Sequence, residues 1–146
     1  IPGMRGSFGI VAPCTHQARC GTLAPGNENH WCHHFAPPPP EVFTDGHWAR
    51  FGELAGVDLR SLPLSYLVLD RRPAPVLPAG AVRVLGRPRL YKPYALLLGC
   101  DESGVSEKRI SKRHLPETFR QLKRGQGDPL QLWRCQGDEV VEIGTP

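Results

Sequence analysis

The chain has 146 residues, 40% of them apolar, a net charge of +4, and 16 glycines and 16 prolines. That length suits one ordinary domain, or one with a small appendage, built with a modest core and many loops. No apolar run approaches the roughly 20 residues that a membrane-spanning helix needs, so no membrane partner is expected, and no signal peptide is visible. Five cysteines is an odd number. A secreted disulfide scaffold would more often carry an even count, so an intracellular protein with a metal site and one spare cysteine fits better. The first residue is Ile1 rather than Met, and the back part of a longer protein is expected.

The run FGIVA from Phe8 to Ala12 follows a glycine-containing lead and reads as a buried strand ending at Pro13. From Val11 to His34 the chain holds Cys14, Cys20 and Cys32 with His16, His30, His33 and His34, and little that could form a core. Such a stretch needs a metal, a disulfide or a covering domain to fix it. Pro37 to Pro40 should be extended polyproline II, a stiff spacer. Asp45 to Ala55 fits a helix capped by Asp45 and closed by Gly56, with Trp48, Phe51 and Ala55 on one core-facing side.

Leu64 to Leu69 (LSYLVL) is the strongest strand signal, near-continuously apolar and so expected to be buried on both faces. Ala81 to Leu85 alternates and reads as a half-exposed strand. Tyr94 to Leu98 reads as a buried strand ended by Gly99-Cys100, with a polar loop over 101–107. Pro116 to Lys123 fits a short helix with Phe119 and Leu122 inward alongside Leu115. Leu130 to Trp133 and Val140 to Ile143 form a closing strand pair, turned at Gly137-Asp138.

The excess charge lies entirely in the second half, where residues 81–146 carry twelve Lys/Arg against eight Asp/Glu. Between Lys108 and Arg124 seven basic residues face one acid, Glu117. Such a block points to an anionic partner or to a solvated helix face, and charge alone does not choose.

Cys14, Cys20 and Cys32 are separated by five and eleven residues, and Cys100 follows after sixty-seven. No C-x-x-C pair occurs, so the zinc-finger spacing is absent. Three cysteines on one loop and a fourth from a strand end can supply four thiolates to one site. Zinc, an iron–sulfur cluster, and unligated or disulfide cysteines all stay open on spacing. Cys135 reads as a plain thiol. The histidines compete as ligands, and His16, His33 and His34 sit beside the cysteines in any of these readings. There is no phosphate-cradling glycine motif and no nucleophile signature, and the carboxylates are too scattered to nominate a catalytic residue.

Val11-Ala12-Pro13-Cys14-Thr15-His16, then Trp31-Cys32-His33-His34, then Ser65-Tyr66-Leu67-Val68-Leu69, together with Leu97-Leu98-Gly99-Cys100, resemble the C-terminal part of the methyltransferase-like proteins of the small ribosomal subunit. That family comprises bacterial members and mitochondrial small-subunit assembly factors, and the resemblance spans essentially the whole chain. It implies an α/β fold: the end of a class I methyltransferase-like (Rossmann-like) sheet over 1–72, including the metal-cluster loop 11–34, and a basic, β-rich C-terminal part over 73–146. It implies a 4Fe–4S cluster on Cys14, Cys20, Cys32 and Cys100, with His16, His33 and His34 around it.

The family acts on the small ribosomal subunit, so Arg87, Arg89, Lys92, Lys112, Arg113, Lys123 and Arg124 would meet rRNA phosphates. The implied location is the bacterial cytoplasm or the mitochondrial matrix. S-adenosylmethionine would bind the N-terminal half of the parent, ahead of Ile1, so this chain alone would hold it weakly or not at all. Three departures stand out: Gly21 where the family often has proline, Leu59–Pro63 where an acidic run is common, and an R-G-D interrupted as Arg124-Gly125-Gln126-Gly127-Asp128. The alternative is a zinc-stabilised nucleic-acid or protein interaction module without catalytic activity.

Overall fold

Short strands dominate the first half of the chain and long ones the second. The structure is a computed structural model describing residues 8–74 and 76–146. The glycine-containing lead before Phe8 lies outside the described residues. The first half forms β1 (Gly9–Ala12), β2 (His34–Phe35), β3 (Pro63–Leu64) and β4 (Val68–Asp70), with β1 antiparallel to β4 and β2 antiparallel to β3. The Gln17 side chain donates to the Ile10 carbonyl at 2.7 Å and accepts from its amide at 2.9 Å. It occupies the other edge of β1 as a neighbouring strand would.

Between these strands lie α1 (Glu41–Thr44) and α2 (Gly46–Ala55). The Asp45 carboxylate accepts from the His47 amide at 2.9 Å, and Gly56 closes the helix at φ 65°. Both ends are those expected of the sequence, because each rests on a local capping interaction. The apolar face is not as expected. Trp48 and Phe51 pack edge-to-face on each other but stay 44% and 53% exposed. Leu64 to Leu69 departs further. It splits into β3 and β4, and Leu64, Leu67 and Val68 are exposed. An apolar run is buried on both faces only if layers cover both, and among the described residues these two-stranded sheets have no such layers.

The second half closes a barrel. β5 (Ala81–Leu90), β6 (Tyr94–Asp101) and β7 (Gly104–Ser111) form an antiparallel meander. Helix α3 (Pro116–Lys123) follows, then the hairpin of β8 (Leu130–Gln136) and β9 (Glu139–Gly144). The order around the barrel is β5-β6-β7-β9-β8, with β8 returning to β5 antiparallel and β7 meeting β9 parallel through Arg109 and Glu139. This is a five-stranded Greek-key barrel with a helix between its third and fourth strands, the architecture of the OB-fold.

Inward residues alternate as the pleat requires: Val82 and Val84 on β5, Ala95 and Leu97 on β6, Ile110 on β7, Trp133 on β8 and Val140 on β9. Phe119 and Leu122 of α3 join that core. Gly99 also points inward. A Cβ there would lie 2.7 Å from both the Trp133 ring and the Val82 side chain, so the glycine makes room for the indole.

Three expectations change here. Ala81 to Leu85 is buried on both sides rather than half exposed, because the first half of the chain covers its outer side. Gly99-Cys100 does not end β6, which runs on to Asp101. The polar stretch 101–107 is a tight turn followed by the start of β7. That strand reads as a loop in sequence because its outward positions are polar and Ile110 is its one fully buried apolar side chain.

Candidate metal centre

Each of the four cysteines is placed by a different element. Cys14 follows β1 after the buried Pro13, whose bond to Ala12 is cis. The Arg83 Nε donates to the Pro13 carbonyl at 2.6 Å, tying this corner to β5. Cys20 precedes a 3-10 turn at Gly21–Leu23, and its sulfur lies 3.0 Å from the Thr22 hydroxyl. Cys32 precedes β2. Its carbonyl accepts from the Ser65 hydroxyl, and the His33 carbonyl accepts from the Gly86 amide of β5 at 2.9 Å. Cys100 lies on β6 opposite Arg83 of β5 and Val105 of β7. Its inward neighbours are Leu97 and Gly99, so its own side chain leaves the outer face of the barrel, where loop 14–32 is seated.

The closest backbone approach is at Gly21. A Cβ there would lie 2.8 Å from the Gly104 Cα and 3.0 Å from the Val105 nitrogen. That proximity lets the Gly21 amide hydrogen-bond the Cys100 sulfur. A proline at this position would have no N–H to give.

Cys14, Cys32 and Cys100 each feel the charge of neighbouring cysteines. Burial raises the Cys100 thiol from 9.0 to about 11, and negative charge on Cys14, Cys20 and Cys32 adds to it, against the Gly21 amide. Burial raises Cys32, as do Cys14 and Cys20, and burial followed by Cys20 raises Cys14. Arg83 pulls both of these thiols back down. These couplings put the cysteines within reach of one another's charge, with the buried Arg83 guanidinium beside Cys14 and Cys32. All five cysteines are free.

The histidines stand around this set. His34 is 8% exposed, its Nε2 lies 3.5 Å from the Cys32 sulfur, and burial, then Arg83 and His33, hold its imidazole below the ordinary value. His33 stacks on Trp31 at 4.5 Å, and its Nδ1 is 2.8 Å from the Trp31 carbonyl. The His16 Nδ1 accepts from the Ala18 amide at 3.1 Å, which leaves the proton on Nε2. That Nε2 is buried without a hydrogen-bond partner, alone in this among the described residues. A buried N–H with nothing to bond is costly.

Among the described residues no three His, Cys, Asp or Glu groups converge closely enough to hold a single metal ion. A tetrahedral zinc with Zn–S bonds of ~2.3 Å needs sulfurs ~3.8 Å apart. The candidate donors are four free, soft sulfur ligands, with the Gly21 backbone packed against β7 beside Cys100. Sulfur donors of this kind are the ligands that zinc and iron–sulfur clusters use.

The basic residues fall into two sets. Arg87, Arg89, Lys92, Lys112 and Arg113 gather around the β5–β6 turn and the end of β7, where the Lys112 amide donates to the Pro93 carbonyl at 3.0 Å. Arg87 lies over the Phe35 ring at 4.3 Å, and Arg89 pairs with Glu107. Lys123 and Arg124 end α3, about 12 Å along the helix from its start beside Arg113. Sequence reasoning did not single out Arg83. Its signal was present as one cation inside the otherwise apolar run AVRVL.

Fold and site together define a small Greek-key barrel with a candidate four-cysteine site on its outer face. Comparison with known proteins returned no match: no family model, no curated protein and no solved structure matches the chain.

Proposed function

We propose that this chain is the iron–sulfur-bearing C-terminal portion of an S-adenosylmethionine-dependent methyltransferase-like protein that binds rRNA of the small ribosomal subunit, in its assembly or methylation. The observation that supports the metal part is the proximity of Cys14, Cys20, Cys32 and Cys100, three from one loop and one from β6, whose charges act on one another. Those four residues would hold a 4Fe–4S cluster, which when bound supplies iron–thiolate links between loop and barrel. Arg83 would offset the negative charge on Cys14 and Cys32, and the Gly21 amide donates to Cys100. The sequence motifs carry the ribosomal part, and the basic residues around the β5–β6 turn support it. Location follows the parent, in bacterial cytoplasm or mitochondrial matrix.

Anaerobic purification with iron, sulfide and zinc analysis tests this reading. A brown protein with broad absorbance near ~400 nm and about four irons is expected. A colourless protein with one zinc would refute the cluster and leave a zinc-stabilised interaction module.

A further inference from the structure

The outer face of β6 carries Tyr94, Leu96, Leu98 and Cys100 in alternation. The cysteine loop covers the Cys100 end. The other end is open and chemically distinct. Arg89, Leu96 and Arg109 form one cross-strand row over β5, β6 and β7, with neighbouring strands about 4.8 Å apart. Below this row, Tyr91 and Tyr94 stack at 4.8 Å with ring planes 30° apart, and Arg109 lies over the Tyr94 ring at 5.9 Å. The Tyr91 amide donates to the Tyr94 carbonyl at 2.8 Å, which fixes the pair in a tight turn. Tyr91 is 44% exposed, so its ring offers a free face.

We propose that this open half of the β5–β6–β7 face binds single-stranded RNA, with unpaired bases stacking on Tyr91 and Tyr94 and phosphates meeting the cations around them. The inference rests on the RNA-binding reading above and narrows it to a site and a strand state. Arg87, Arg89, Lys92, Arg109, Lys112 and Arg113 border the face against two carboxylates, Glu107 and Glu139. The Arg89–Glu107 pair is exposed and so weak enough for a phosphate to displace, whereas Glu139 is largely covered and already held by Arg109 and His114. Rigid aromatic rings lose little freedom on binding, and stacking accepts any base because every base has a π-face. OB-type barrels bind oligonucleotides on their second and third strands, here β6 and β7, and on the turn before them. A duplex keeps its bases stacked internally and gives the tyrosines nothing to hold.

The test is fluorescence anisotropy of the full metal-loaded chain with a labelled RNA of about 12 nucleotides, single-stranded or annealed to its complement, across salt concentrations. The single strand should bind tighter than the duplex. Tyr91→Ala and Tyr94→Ala should each weaken single-strand binding about 5- to 150-fold, while Tyr91→Phe retains it. Unchanged absorbance near ~400 nm in each variant shows that the barrel and the cysteine loop are intact. Should Tyr94→Ala misfold, Tyr91→Ala in the exposed turn carries the test. If RNA binds with a steep salt dependence but both alanine variants match the wild type, or the duplex binds as tightly, this site is refuted and general rRNA contact survives. If neither RNA binds even at low salt, both readings fall.

Discussion

Gly21→Ala measures how tightly the cysteine loop is seated on the barrel. The added Cβ would fall 2.8 Å from the Gly104 Cα, 2.9 Å from its carbonyl carbon and 3.0 Å from the Val105 nitrogen. These are backbone atoms, so no side chain can swing away and the loop itself must lift. Overpacking of this kind costs about 1–3 kcal/mol. The lower chain entropy of unfolded alanine returns about 0.4–1 kcal/mol. The net loss is therefore about 1–2 kcal/mol. With a urea dependence of about 2 kcal/mol per molar, the unfolding midpoint of the metal-free chain should fall by roughly 0.5–1 M. Lifting the loop also lengthens the hydrogen bond from the Gly21 amide to Cys100 and parts three ligands from the fourth, so iron content should drop as well. Gly46→Ala is the control, because nothing lies within 4 Å of its added Cβ. If Gly21→Ala unfolds at the wild-type midpoint with full iron, the loop is not held where it is described and the reasoning fails.

Replacing Cys14, Cys20, Cys32 or Cys100 by serine should abolish the ~400 nm absorbance and lower the unfolding midpoint, since metal binding is coupled to folding. Cys135→Ser, at an exposed position on β8, should change neither, and equal damage there would overturn the ligand assignment. Arg83→Met removes the donor to Pro13 and the positive charge that draws down the Cys14 and Cys32 thiols. It should cost about 1.5–3 kcal/mol by urea denaturation and reduce metal loading at neutral pH. A fully loaded and equally stable variant would rule out the charge-offset role. In the metal-free chain the folded Cys100 thiol titrates at about 11 rather than 9.0. The folded state thus keeps its proton longer, and stability is full below pH 9.0 and declines as pH rises through about 11. Urea midpoints across that window should fall less steeply in Cys100→Ser, and identical slopes would contradict the burial of that thiol.

Features resting on neighbours in the chain were legible from the amino-acid order alone. Asp45 and Gly56 bound α2, Pro116 opens α3, and Gly137-Asp138 turns the last hairpin, because each depends on backbone geometry within a few residues. Tertiary structure decided what covers what. LSYLVL looks buried, yet lies exposed because nothing in the described residues is layered over it. AVRVL looks half exposed, yet is buried because the cysteine loop closes over its outer side. The same closure turns Arg83 from an anomaly in a strand into the cation of the site. It also brings Cys100 to cysteines at least sixty-eight positions earlier. Alternation shows only that a strand has two faces, and which of them meets solvent is settled by distant segments whose packing no local pattern encodes.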